Sequence, residues 1–143
     1  MVYHHIVQYY ETDKMGITHH SNYIRWMEEA RVALLNEMGY GYDRLEAMGI
    51  ASPVMAVDCK YKSPSTFADD IAVNVTLESF NGVVLRVAYR MDKADGTRVL
   101  EGHSEHCFLN DKGRFIRLNR DYPDFLRALN EEIGRAEGTG IRQ

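Results

Sequence analysis

A change of hydrophobic period part-way along the chain limits its possible folds more than any other feature. From Ser21 onward, Ile24, Met27, Leu34, Leu35 and Met38 recur at spacings of three, four and seven, while Arg25, Glu28, Arg31 and Glu37 fill other faces. Apolar residues at that spacing line one side of a helix, so this stretch predicts a long amphipathic helix. After Gly49 the period falls to two: Val54, Ala56 and Asp58 alternate with Met55, Val57 and Cys59, and Ile71, Val73, Val75 and Leu77 alternate with more polar neighbours. Such alternation puts successive side chains on opposite faces of a strand.

The turns complete the pattern. Asn81-Gly82 precedes Val83, Leu85, Val87, Tyr89 and Met91, and because both turn residues tolerate positive φ it predicts a hairpin. Asp95-Gly96 supplies the next turn, Thr97 to Leu109 a further strand, and Asn110 to Gly113 another turn, so an antiparallel meander is expected. Residues 3–9, rich in β-branched and aromatic types, read as a strand on which Tyr9 and Tyr10 face opposite ways, and Asp13 to Gly16 reads as a turn. Ser21 or Asn22 is the expected helix cap, Asp43 to Met48 a second short helical turn, and Tyr122 to Ile133 a last helix. A strand, a long helix and then antiparallel strands make an α+β layer in which a sheet curls round one helix. The 143 residues suit one domain over 1–134, with the polar, Gly-rich stretch 135–143 expected to fray.

Composition narrows the function. The formal net charge is -4, with Lys+Arg 17 spread among Asp+Glu 21, which offers no basic excess for a nucleic-acid backbone. No apolar run approaches the roughly 20 residues that cross a bilayer, and the N-terminus has no signal-peptide pattern, so a cytoplasmic location away from membranes is expected. The two cysteines, Cys59 and Cys107, lie far from any metal or redox spacing and read as buried free thiols. His103 and His106 are three apart in a strand and point to opposite faces, which does not suit one metal ion.

Chemically useful side chains are densest between Tyr9 and Asn22, where a strand gives way to the long helix. The first N–H groups of a helix have no partner inside it, and with the positive dipole end they can polarise a carbonyl or hold an oxyanion. A carboxylate on the preceding loop can attack that carbonyl or deprotonate a water that does so. Asp13 is the candidate, and Gly16 suits a loop that must turn sharply beside a substrate.

Tyr9, Asp13, Gly16, His20 and Tyr23, followed by Glu28 to Arg31, fit without a gap the approximate pattern Tyr-x-x-x-Asp-x-x-Gly-x-x-x-His-x-x-Tyr and then Glu-x-Ala-Arg. In this the chain resembles the 4-hydroxybenzoyl-CoA thioesterase-like branch of the hotdog-fold family. The likeness extends through the Lys62-Ser63-Pro64 segment that leads into the third strand, over residues 3–120. It implies a hotdog fold and hydrolysis of an acyl-coenzyme A thioester, with Asp13 as nucleophile or general base. The N–H of His20 would polarise the thioester carbonyl, the side chains of His20 and Tyr9 would position substrate or water, and Gly16, Tyr23 and Lys62 would contact substrate.

The resemblance implies no metal or redox cofactor, coenzyme A being part of the substrate. It implies a homodimer or homotetramer, which also suits the edge strands that a sheet wrapped round one helix leaves open. An acyl-carrier-protein thioesterase, a hydratase of the same fold and a non-catalytic acyl-CoA binding module are the alternatives; Asp13 speaks against the hydratase and Asp13 with His20 against the binding module, while a carrier-protein thioester stays open. The acyl group, small or medium, is left open.

Overall fold

The computed structural model describes residues 1–139, with side chains as far as Ala136. The elements run β1 Val2–Ile6, α1 Ser21–Glu37, α2 Tyr42–Ala47, β2 Val54–Tyr61, β3 Asp70–Phe80, β4 Leu85–Lys93, β5 Arg98–His106, α3 Leu118–Asp121 and α4 Pro123–Thr139. The five strands form one antiparallel sheet in the order β1-β3-β4-β5-β2.

Alternation works as the sequence predicts. Ile71, Val73, Val75 and Leu77 of β3 and Leu85, Val87, Tyr89 and Met91 of β4 are buried. Against this inner face lies α1, which packs on β3 and β1 and buries Tyr23, Trp26, Met27, Ala30, Leu34 and Leu35. Each large side chain so buried contributes roughly 1.5–3 kcal/mol, so α1 is held by its apolar stripe more than by its own backbone. Helix α4 also packs on β3, with Phe125 against Tyr40 and Phe108 at ring-centroid distances of 4.7 and 5.2 Å. A curved antiparallel sheet against one long helix is the hotdog architecture, and the α+β expectation holds.

Several local expectations do not hold. The sheet is a meander only over β3, β4 and β5, because the connection from Tyr61 to Asp70 is too long for a hairpin and carries β2 to the far edge beside β5. The first strand stops at Ile6, and Tyr9–Glu11 is a 3-10 turn. Glu11 causes this: its side chain takes the N–H of Gln8 at 2.8 Å and folds the chain back on itself. Neither Ser21 nor Asn22 caps α1, since His20 is the capping residue and Asn22 Nδ2 donates back to the carbonyls of Glu11 and His19. The last helix passes Ile133 and takes in 135–139 of the expected frayed tail, because its apolar stripe continues through buried Leu129, partly buried Ile133 and buried Ala136. Residues 140–143 lie outside the described residues. Cys59 is only half-buried, on edge strand β2, whereas Cys107 is buried.

That edge strand is unusual. Val54, Met55, Val57 and Tyr61 are all between 41% and 53% exposed, so β2 extends the sheet beyond the cover of its own helices. It lies tight on β5, where Gly102 opposes Cys59 and an added Cβ would stand 2.5 Å from the carbonyl oxygen of Asp58.

Candidate active site

The loop between β1 and α1 is held at three levels. At its base is Glu11, only 5% exposed, whose carboxylate accepts from the Gln8 N–H at 2.8 Å and Trp26 Nε1 at 2.9 Å and pairs with His5 Nε2 at 2.8 Å. Burial pushes this carboxyl up, but its hydrogen bonds with Gln8, His5 and Trp26 outweigh that and hold it below the usual carboxylate range. The Glu11 carbonyl also receives the His19 N–H at 2.8 Å and Asn22 Nδ2 at 3.0 Å, closing the loop ends together.

Within the loop, Thr12 and Thr18 form a β-bridge, Asp13 N donates to Ile17 O at 2.9 Å and Gly16 N to Asp13 O at 2.9 Å. Gly16 has φ +78°, a left-handed conformation that glycine adopts readily and that lets the loop turn sharply here. Asp13 is exposed, with one carboxylate oxygen accepting the Met15 N–H at 2.8 Å in a local turn.

The segment after β2 braces the outside. Buried Ser65 Oγ lies 2.7 Å from Thr18 Oγ1 and 2.8 Å from Tyr23 Oη, and Thr66 Oγ1 donates to Gly16 O at 2.8 Å. Between loop, helix and β2 opens a cleft of about 260 Å³ lined by Ile17, Thr18, His20, Tyr23, Tyr61, Lys62, Ser63 and Pro64.

Of the residues singled out in the sequence, His20, Tyr23 and Lys62 line this cleft together. His20 stacks on His19 at 4.3 Å and meets Tyr61 edge-on at 6.3 Å, and its backbone N–H has no acceptor among the described residues. The Tyr23 hydroxyl is engaged by Ser65, so only its ring is offered to the cleft, and Lys62 Nζ stands 3.9 Å from Glu101. Asp13 and Gly16 sit on the same loop as Ile17 and Thr18 but are not part of the lining. Tyr9 is 76% exposed and packs edge-on against Phe67 at 5.8 Å, away from the cleft lining; the turn that ends β1 early puts both Tyr9 and Tyr10 on the surface.

Sequence reasoning missed Glu11, Ser65 and Thr18. The available signal was Glu11 itself, three residues beyond Gln8, the spacing at which an acid closes a turn over a free N–H.

Residues 7–131 match the family model of the thioesterase-like superfamily. The chain belongs to this family. As a member it is a thioester hydrolase. YneP of Bacillus subtilis (strain 168) is 32% identical over 126 residues, covering 87% of this chain and 91% of the relative. Acyl-CoA thioester hydrolase YbgC of Escherichia coli O157:H7 is 26% identical over 95 residues, 66% of this chain and 71% of the relative. Among solved structures, the DHNA-CoA thioesterase from Staphylococcus aureus superposes with TM-score 0.89 at 27% identity, covering 97% of this chain and 93% of its own. The gentisyl-coenzyme A thioesterase BH1999 does so with TM-score 0.77 at 26% identity, covering 85% and 98%. The thioesterase member thus keeps the family fold.

Proposed function

We propose that this thioesterase hydrolyses acyl-coenzyme A thioesters, with Asp13 as its catalytic carboxylate. The observation that carries the reading is the braced Asp13 loop, which sets an exposed carboxylate on the same short segment as a cleft closed by a helix N-terminus. The thioester carbonyl sits at that end of α1, where the free His20 N–H and the helix dipole stabilise the oxyanion. Asp13 attacks the carbonyl carbon or takes a proton from the water that does. The C–S bond then breaks, coenzyme A leaves as thiolate and takes up a proton, and water supplies the hydroxyl of the free acid. Gly16 keeps the loop backbone low beside the substrate, the Tyr23 ring and Lys62 contact it, and the His20 and Tyr9 side chains position it or the water. The names of the YbgC, DHNA-CoA and gentisyl-CoA relatives support an acyl-CoA substrate, and the modest cleft supports a small or medium acyl group.

The active form is a dimer through β2. Its outer edge carries unpaired backbone groups flanked by exposed Val54, Met55 and Val57, and antiparallel pairing with a second copy covers both.

The test is thiol release from acyl-CoAs of graded length, aliphatic and aromatic, by the native protein and by Asp13→Asn. Turnover that drops about a hundredfold or more in the folded variant supports Asp13 as the catalytic carboxylate. Native-like turnover in Asp13→Asn removes Asp13 from the mechanism. Activity on acyl-carrier-protein thioesters alone transfers the reading to that substrate.

A further inference from the structure

Three hydroxyls meet in the wall of the cleft, and none of them has a part in the chemistry described above. Ser65, Thr18 and Tyr23 are all buried, and their oxygens converge on Ser65 Oγ. Thr18 Oγ1 lies 2.7 Å from it and Tyr23 Oη 2.8 Å. Thr18 Oγ1 also donates to the carbonyl of Ser65 at 3.2 Å.

These contacts fix the order of the protons, since each hydroxyl has only one to give. The Thr18 proton goes to Ser65 O, so Thr18 Oγ1 accepts from Ser65 Oγ. Having given its own proton, Ser65 Oγ accepts from Tyr23 Oη. The donation runs one way, from α1 through Ser65 to the loop that carries Asp13.

Each member stands on a different part of the fold. Tyr23 lies in the first turn of α1, with its ring edge-on to Trp26 at 4.8 Å and tilted to Tyr61 at 5.6 Å. Thr18 closes the loop through its bridge to Thr12, and both Tyr23 and Thr18 line the cleft. Ser65 opens a segment that is itself tied down. Thr66 N donates to the Asp69 carboxylate at 2.8 Å, and Ala68 N and Val7 N exchange bonds with Val7 O and Asp69 O, each at 2.9 Å. Ala68 is held at φ +72°, a conformation that a residue with a Cβ keeps only where its surroundings impose it.

The loop is fastened to this segment twice more, by Thr18 N to Ser65 O at 2.8 Å and by Thr66 Oγ1 to Gly16 O at 2.8 Å. The helix is not. Among the described residues, the bond from Tyr23 to Ser65 Oγ is the one hydrogen bond between segment 63–69 and α1. Ser65 is not part of the cleft lining, so any effect it has on the reaction passes through Thr18 and Tyr23.

We propose that Ser65 is a positioning residue for thioester hydrolysis, whose hydroxyl holds the Asp13 loop in register with the start of α1. This rests on the reading that Asp13 and the His20 N–H act on one carbonyl, and adds what keeps the two at their working separation. Misplacing one of two such groups by about 1 Å costs up to about a hundredfold in rate.

The test measures kcat, KM and Tm for Ser65→Ala, Thr18→Val and the double variant, on the acyl-CoA that the native protein hydrolyses best and well below each Tm. Ser65→Ala leaves the other two hydroxyls facing a methyl group. It is expected to lower kcat about tenfold or more with KM within about threefold of native, because a misplaced carboxylate is felt in the transition state and not in binding. Thr18→Val breaks the same chain, is expected to do the same, and serves if Ser65→Ala does not fold. The double variant is expected to lose no more than the worse single one, since both interrupt one chain. A lowered Tm with native kcat makes Ser65 merely structural and overturns the inference. So does a rise in KM alone, or losses that multiply in the double variant. Asp13→Asn, run beside them, separates the two readings: if it turns over like the native protein, the Asp13 mechanism fails and the inference with it. If Asp13→Asn is inactive while Ser65→Ala keeps native kcat, the inference alone is overturned.

Discussion

The indole N–H of Trp26 donates to Glu11 Oε2 at 2.9 Å, joining the turn ahead of Asp13 to the buried face of α1. The other carboxylate oxygen of Glu11 serves Gln8 and His5, so one acid ties β1, the loop and the helix together. The position of Asp13 relative to the start of α1 therefore depends on a residue that does not line the cleft.

Glu11→Gln is expected to expose this dependence. The amide keeps the shape but turns an NH2 group toward donors that need an acceptor, at a cost of about 2 to 3 kcal/mol. Urea unfolding should show that loss, and kcat should fall although Asp13 and His20 are untouched. A variant as stable and as active as the native protein would show that the hub is incidental.

Much of the fold was legible because α1 and the strands β3 and β4 declare themselves by period: Met27, Leu34 and Leu35 share one helix face, and Ile71, Val73 and Val75 one sheet face. The end of β1 was not legible, since Val7 to Tyr10 have strand-like composition and only the long-range capture of Glu11 by Trp26 and His5 bends them away. Nor could β2 be assigned to the sheet edge, for its alternation is that of any half-buried strand and its neighbour β5 lies about forty residues on. In the site, motif spacing brought His20, Tyr23 and Lys62 to one cleft, while Ser65 and Thr18 carry their meaning only through contacts across 47 residues.

Gly16→Ala tests the loop in another way. Nothing lies within 4 Å of the added Cβ, so the whole penalty comes from φ +78°. A single left-handed alanine costs about 1 to 2 kcal/mol, or the loop shifts to avoid it. Thermal unfolding separates the cases. A lowered Tm with normal kcat means the strain is borne in place, and a normal Tm with reduced kcat means that Asp13 has moved.

Gly102→Ala meets backbone rather than strain. Its Cβ would stand 2.5 Å from Asp58 O, so β2 must move off β5. Overpacking of this kind costs about 1 to 3 kcal/mol. Because the β2 edge is the proposed dimer seam, sedimentation or size-exclusion at graded concentration should also show weaker self-association. Unchanged association would place the dimer seam elsewhere.

Stability should depend on pH through His106. In the unfolded chain this imidazole titrates near 6.5, but in the folded protein burial, the charge of Arg31 and that of Glu28 leave it at about 4. Between those values the unfolded chain binds a proton that the folded chain refuses, so folding free energy is fully retained above about 6.5 and falls as pH drops toward 4. Glu11, held below its ordinary 4.5, loses its own contribution at still lower pH, as the folded carboxyl takes up its proton. Replacing His106 by glutamine, which does not titrate, should flatten the upper part of this profile and leave the lower part in place. Urea midpoints from pH 7 to pH 4 on both proteins decide it: equal slopes above the carboxylate range would mean that His106 is not the group refusing the proton.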